Sequence, residues 1–144
     1  NQPIIKFCNN KKGCIYFQEY LPNNTYDIRE TTIGKKNYIF KRYVRENDFR
    51  ASGSGKIDYK VSLKDLEAIK IARKITESIS AQSMAYDFLY DRDGKLKVCE
   101  MSYGFAEKAV NNTHGWYDLD LNFHNETVDV YKEIVHLLVR EVGI

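Results

Sequence analysis

The sequence predicts an α+β fold, a mainly antiparallel sheet with helices packed on one face, and three observations carry that prediction. Strand-like runs come in pairs around the short turns Gly34-Lys35-Lys36 and Asp91-Arg92-Asp93-Gly94, where glycine and aspartate suit a tight reversal. Residues 63–79 and 127–142 repeat apolar side chains at helical spacing. The order is strands, loop, helix, strand hairpin, loop, helix, with none of the regular strand–helix alternation that builds a parallel sheet.

Taken in order, residues 3–8 read as a short strand, and the polar stretch 9–13 leads into a second strand at 15–21 that Pro22-Asn23-Asn24 ends. Residues 26–33 and 37–44 are rich in β-branched and aromatic residues on either side of the Gly34 turn, the pattern of an antiparallel hairpin. The pattern fails over 45–59, where Ala51-Ser52-Gly53-Ser54-Gly55 has the composition of a loop. Ser62 followed by Asp65 looks like a capping box, and Leu63, Leu66, Ile69, Ala72, Ile75 and Ile79 form the apolar face of a helix. Residues 84–90 and 96–101 make the second hairpin. Residues 102–125 are polar, aromatic and long for a structureless connection, which marks a functional or poorly ordered loop. In the last helix Val128, Tyr131, Ile134, Val135, Leu138 and Val142 fall on one face, and Gly143 stands where a helix stops.

The 144 residues are about one domain's worth of chain. Lys plus Arg exceeds Asp plus Glu by 22 − 20 = 2, so no large field of one sign points to nucleic acid or a membrane as the main partner. Cys8, Cys14 and Cys99 lack zinc-site spacing and fit reduced thiols in a cytoplasmic protein. The apolar stretches fall well short of the ~20 residues that span a bilayer. The start, Asn1-Gln2-Pro3, lacks an initiator Met and a signal-peptide pattern, and the expectation is a piece of a longer protein. Oligomeric state is not readable from these features.

Two groups of side chains could carry chemistry. Asp87 and Glu100 lie on the two strands of the second hairpin, where positions 87 and 100 can stand nearly opposite one another. Like charges that close repel unless a cation or proton separates them, and with the hydroxyl of Ser102 they offer the oxygen donors that magnesium prefers. The same residues also fit exposed edge carboxylates facing water. The second group is Asp27, Arg29, Lys41, Arg42 and Arg50, in which Arg29 and Asp27 share a strand face and Arg50 precedes the Gly/Ser loop. A turn through Gly34-Lys35-Lys36 brings Lys41 opposite Arg29. Such cations beside flexible backbone amides suit a triphosphate, and equally they decorate a solvated hairpin. The loop lacks the Gly-Lys-Ser/Thr ending of a P-loop. His114, His124 and His136 have no serine or cysteine partner at an interpretable position, so nucleophilic triad chemistry has no support.

In their order along the chain these pieces resemble the ATP-grasp family, in particular its RimK-like branch of carboxylate–amine ligases. Gln18-Glu19-Tyr20-Leu21 resembles the family's hinge strand, Asp27-Ile28-Arg29 its D-I-R element, and Asp48-Phe49-Arg50 the element before a Ser/Gly loop. Asp87, Glu100 and Ser102 resemble its closing metal triplet, with Ser102 where the family usually has Asn. The resemblance spans 15–102.

It implies that the chain is the C-terminal portion of the fold, without the N-terminal domain and the glycine-rich lid that covers ATP. It implies that Gln18, Glu19, Tyr20 and Leu21 hold adenine, that Asp27 contacts ribose, and that Arg50 and Ser52 meet the phosphates. Arg29 and Arg50 would act on the phosphoryl and acyl phosphate groups, and Asp87, Glu100 and Ser102 would hold magnesium. The implied cofactors are ATP and magnesium, and the implied partners are a small-molecule or peptide carboxylate and an amine. The implied reaction passes through an acyl phosphate. An alternative from another class is a degenerate module that binds nucleotide or a protein partner without catalysis.

Overall fold

The fold is that of a computed structural model, which describes residues 5–8, 14–46, 51 and 53–143. Its centre is a hairpin of β3, Tyr26–Ile33, and β4, Lys36–Tyr43. The two strands are joined by Gly34 and Lys35 alone, with Ile33 opposite Lys36. Gly34 takes the positive φ of 58° that such a turn demands. The turn is therefore one residue shorter than the sequence reading had it, and a shift of one residue changes which side chains share a face. Arg42 stands opposite Asp27, whereas Lys41 stands opposite Ile28 on the other face. The expected gathering of Lys41 with Arg29 is thus corrected: Arg42 takes that place. Lys41 instead pairs with Asp58 at 2.9 Å and sits over the Tyr26 ring.

β6, Ser83–Tyr90, pairs with β3, and β7, Leu96–Ser102, pairs with β6 and forms the sheet's edge. On the far side β4 pairs with the short strand β5, Ile57–Asp58, and with β8, Trp116–Tyr117, which continues to β9, Phe123–His124. All of these pairings are antiparallel. A separate two-stranded sheet holds β1, Ile5–Cys8, and β2, Cys14–Phe17. The second strand ends at Phe17, so Gln18, Glu19, Tyr20 and Leu21 follow it as a connecting segment.

Helix α1, Glu67–Ser78, covers one face of the sheet. Its Leu66, Ile69 and Ala72 side pack with Ile28, Ile39, Tyr86 and Phe88. The capping box forms one turn ahead of the helix: the Ser62 amide donates to Asp65 Oδ2 at 2.7 Å and the Asp65 amide to Ser62 Oγ at 3.3 Å. Asp65 also accepts the hydroxyls of Tyr90 and Tyr26, at 2.8 and 3.3 Å, which ties the helix start to β6 and β3.

The opposite face carries its own apolar cluster of Ile33, Tyr38, Phe40, Val110, Val128 and Val130. Val110 belongs to α2, Glu107–Asn111, and Val130 opens α3, Val130–Val142. Helices therefore cover both faces of the sheet, not one as the sequence reading expected. The reason is the alternation of β3 and β4, which places Ile28 and Ile39 on one side and Ile33 and Phe40 on the other. Residues 102–125, read as a loop, contain α2 and the β8–β9 hairpin. In α3 the buried stripe runs through Val130, Ile134 and Leu137, while Tyr131, Val135 and Leu138 are exposed. Helical spacing fits either stripe, and contact with Gly34, where a Cβ would meet Leu137 at 2.6 Å, selects the first. Asp129 caps the start through the Lys132 amide, and Gly143 ends the helix in a left-handed conformation. Among the described residues no helix is long and apolar enough to cross a membrane.

Candidate functional site

The face that bears α2 and α3 at one end bears a row of charge at the other. Asp27 and Arg29 of β3, Arg42 of β4, Asp87 of β6 and Glu100 of β7 fall into line because Asp27 opposes Arg42, Arg29 opposes Asp87, and Asp87 opposes Glu100. The pairing of β6 with β7 skips Cys99 between Asp87 and Phe88. Such a bulge re-aims the side chains next to it.

Asp87 is the hub. Arg29 donates Nε to Oδ1, and its Nη2 lies 2.8 Å from Oδ2; Nη2 of Arg42 lies 2.7 Å from the same oxygen. Arg42 also forks onto Asp27, with Nε at 2.8 Å from Oδ1 and Nη2 at 2.6 Å from Oδ2, the bidentate geometry at which a planar guanidinium excels. Burial opposes the charge on Arg42, but its hydrogen bonds to Asp27 and the charges of Asp87 and Asp27 outweigh it, so Arg42 holds its proton more tightly than usual. Burial pushes Asp27 up, and the Arg42 hydrogen bond and charge only partly pull it back.

Glu100 is exposed beside this network. The Ser102 hydroxyl is engaged locally, donating to the Gly104 carbonyl at 2.9 Å and accepting the Gly104 amide at 3.1 Å. Among the described residues no three His, Cys, Asp or Glu side chains converge as a metal cluster. Asp87 and Glu100 stand opposite one another on this face, and both oxygens of Asp87 accept from guanidiniums.

Next to Asp87 on this face lies a cavity of about 350 Å³ lined by Gln18, Glu19, Tyr20, Leu21, Asn24, Leu89 and Cys99. All four residues of the 18–21 segment thus border one space. Gln18 Nε2 donates to the Cys99 carbonyl at 3.0 Å, which fastens the segment to the bulge in β7. Asn24 fastens its other end: Nδ2 donates to the carbonyls of Tyr90 and Leu21 at 2.9 and 3.2 Å, and Oδ1 accepts the Tyr90 amide at 2.9 Å. Burial pushes the Cys99 thiol up to about 11, and the carboxylates of Asp87, Asp27 and Glu100 push the same way. The thiol is therefore neutral and helps line an apolar wall.

A second cavity, about 330 Å³, begins at Arg29 and Arg42 and continues between the Gly53, Ser54 and Gly55 stretch and α2. Of the residues picked out in the sequence, Asp27, Arg29, Asp87 and Glu100 come together, and Gln18, Glu19, Tyr20 and Leu21 border the adjoining space. Ser102 is on the same face but is bound to Gly104. Arg50 and Ser52, with Asp48 and Phe49, lie outside the described residues. The sequence places Arg42 only within the basic group and points to no role for Asn24 or Cys99. Arg42 was findable from the two-residue turn, which fixes it opposite Asp27, whereas the Asn24 clamp and the bulged Cys99 arise from contacts 66 and 81 residues apart along the chain.

Compared with models of known protein families and with curated proteins, the chain matches none.

Proposed function

We propose that this chain is the ATP- and magnesium-binding portion of an ATP-dependent carboxylate–amine ligase. One observation carries the reading. A single sheet face presents in sequence a mostly uncharged cavity edged by the 18–21 segment, a row of carboxylates interleaved with two guanidiniums, and a second cavity beside a Gly/Ser stretch. That order suits a nucleotide whose base occupies the first cavity, whose phosphates cross the charged row, and whose terminal phosphate meets an acid in the second.

In the reaction the acid's carboxylate oxygen attacks the terminal phosphorus and ADP leaves. The amine then attacks the acyl carbon, forming the amide bond as phosphate departs. Arg29 and Arg42 stabilise the negative charge that moves to the bridging and leaving oxygens, and their fixed hydrogen bonds to Asp87 and Asp27 keep them oriented for that task. Asp87 and Glu100 would hold magnesium, which supplies further charge neutralisation at the phosphates. Asn24 and Gln18 hold the base-binding segment in register with that row.

The test is binding followed by turnover. The 144-residue chain should bind ATP in a magnesium-dependent manner by calorimetry. A protein that adds the glycine-rich lid should release phosphate from ATP only when an acid and an amine are both supplied. Magnesium-independent binding, or phosphate release that ignores both substrates, refutes the ligase reading. A second reading, nucleotide binding without catalysis, is favoured by the Ser102 hydroxyl being closed onto Gly104. It predicts binding with no turnover under any acid and amine.

A further inference from the structure

The cavity of about 330 Å³ that starts at Arg29 and Arg42 has an unequal lining. Among the described residues that line it, the charged ones are those two guanidiniums, at its sheet end. The remaining wall is largely hydrocarbon: Phe40 on the sheet, Ile57 on one side, and Phe105, Ala109 and Val110 on the other. Thr31 lies on the same wall two residues from Arg29, and its buried hydroxyl has no hydrogen-bond partner among the described residues. The volume is at the small end of the range that holds low-molecular-weight ligands.

From this lining we infer that the cavity selects a small monocarboxylic acid with a compact apolar body, the carboxylate at Arg29 and Arg42 and the hydrocarbon against Phe40, Phe105 and Ala109. This deepens the ligase reading, on which it rests for the fate of the bound acid, by naming the class of acid. The chemistry follows from what the walls can and cannot satisfy. A carboxylate can accept from planar guanidinium donors. A second carboxylate or an ammonium against Phe105, Ala109 and Val110 would lose its hydration among hydrocarbon side chains, which is costly. An uncharged amide of the same shape would keep the apolar contacts and lose the charge-assisted ones.

The experiment measures binding to the 144-residue chain by calorimetry at neutral pH, alone and with magnesium and a non-hydrolysable ATP analogue. The probes are 3-methylbutanoate, phenylacetate, their primary amides, and glutarate. The expected result is saturable binding of the two monocarboxylates with Kd on the order of 1 mM or tighter. The amides and glutarate should bind at least about tenfold more weakly. Ala109→Leu, which fills the cavity, should weaken the acids about tenfold or more. Because that substitution could disturb the core around α2, Ile57→Asp provides a second variant at an exposed wall position. It should weaken the acids by placing like charge at the wall without changing the unfolding temperature.

Glutarate or the amides binding as tightly as the monocarboxylates overturns the assignment, as does acid binding indifferent to both variants. The two readings fail separately. No acid binding in the presence of intact magnesium–nucleotide binding overturns the cavity assignment alone, whereas selective acid binding without any nucleotide binding upholds the cavity and overturns the ligase reading.

Discussion

Replacing Asp87 by Asn leaves two guanidinium groups facing a neutral amide in a place that water scarcely reaches. The Asp87 side chain is 9% exposed, and those of Arg29 and Arg42 are 15% and 13%. The carboxylate accepts from Arg29 Nε, from Arg29 Nη2 and from Arg42 Nη2, and the amide can accept at only one of its two terminal atoms. Hydrogen bonds to charged groups contribute about 1.5–3 kcal/mol each, and removing one partner of a buried ion pair costs roughly 3–5 kcal/mol in all. Asp27 remains to hold Arg42, so the expected loss lies near the lower end, about 3 kcal/mol. With a urea dependence of about 2 kcal/mol per molar, the unfolding midpoint should fall by about 1.5 M. Equilibrium urea unfolding followed by far-ultraviolet circular dichroism checks it. A midpoint within about 0.3 M of the parent's would show that the arginines find other partners and that the network does not hold the sheet together. The consequence for function is practical: loss of activity in this variant would mix lost metal binding with lost stability.

Glu100→Gln separates the two, since Glu100 is exposed; its urea midpoint should stay within about 0.3 M while magnesium-dependent ATP binding weakens tenfold or more by calorimetry. Glu30 is fully buried, with the Thr32 hydroxyl 3.0 and 3.2 Å from its two oxygens, and burial raises its pKa well above the ordinary value despite that hydrogen bond and the charge of Arg73. The folded state therefore keeps a proton that the unfolded chain releases above about pH 4.5, so its contribution to stability is complete below that pH and is lost as pH rises through the folded value. Glu30→Gln should flatten this decline and be at least as stable as the parent at pH 8, as urea midpoints between pH 5 and 9 would show. At Gly115 a Cβ would lie 2.3 Å from the main-chain oxygen of His124 and 2.5 Å from the Phe123 ring. Gly115→Ala should cost about 1–3 kcal/mol and alter the fluorescence of Trp116, the chain's single tryptophan, which stacks on His124 at 4.0 Å between centroids.

Much of the fold was legible because it is locally encoded. The α1 capping box, the Gly143 stop and both hairpins each depend on residues a few positions apart. The cross-strand placement of Asp87 and Glu100 was legible too, from the short turn between their strands. The illegible parts share one trait: a local rule admitted two answers. Of the face expected for α3, Val128 and Ile134 pack inward, but Tyr131, Val135 and Leu138 are exposed and Val130 and Leu137 take their place, Leu137 against Gly34. The glycine turn allowed two or three residues, and that single residue moved Lys41 off the site and put Arg42 on it.

By itself, then, the sequence determined the two long hairpins, the two longer helices and the residue types available for chemistry, since backbone propensity and side-chain period act over a few residues, while α2 and the β8–β9 hairpin went unread. Only the tertiary structure decided that helices cover both faces, that Asp87 is shared by Arg29 and Arg42, and that Asn24 and Gln18 pin a segment across the edge of the sheet. Those outcomes depend on packing and hydrogen bonds between residues brought together from distant parts of the chain, where a shift of one position in register turns a side chain from one face to the other.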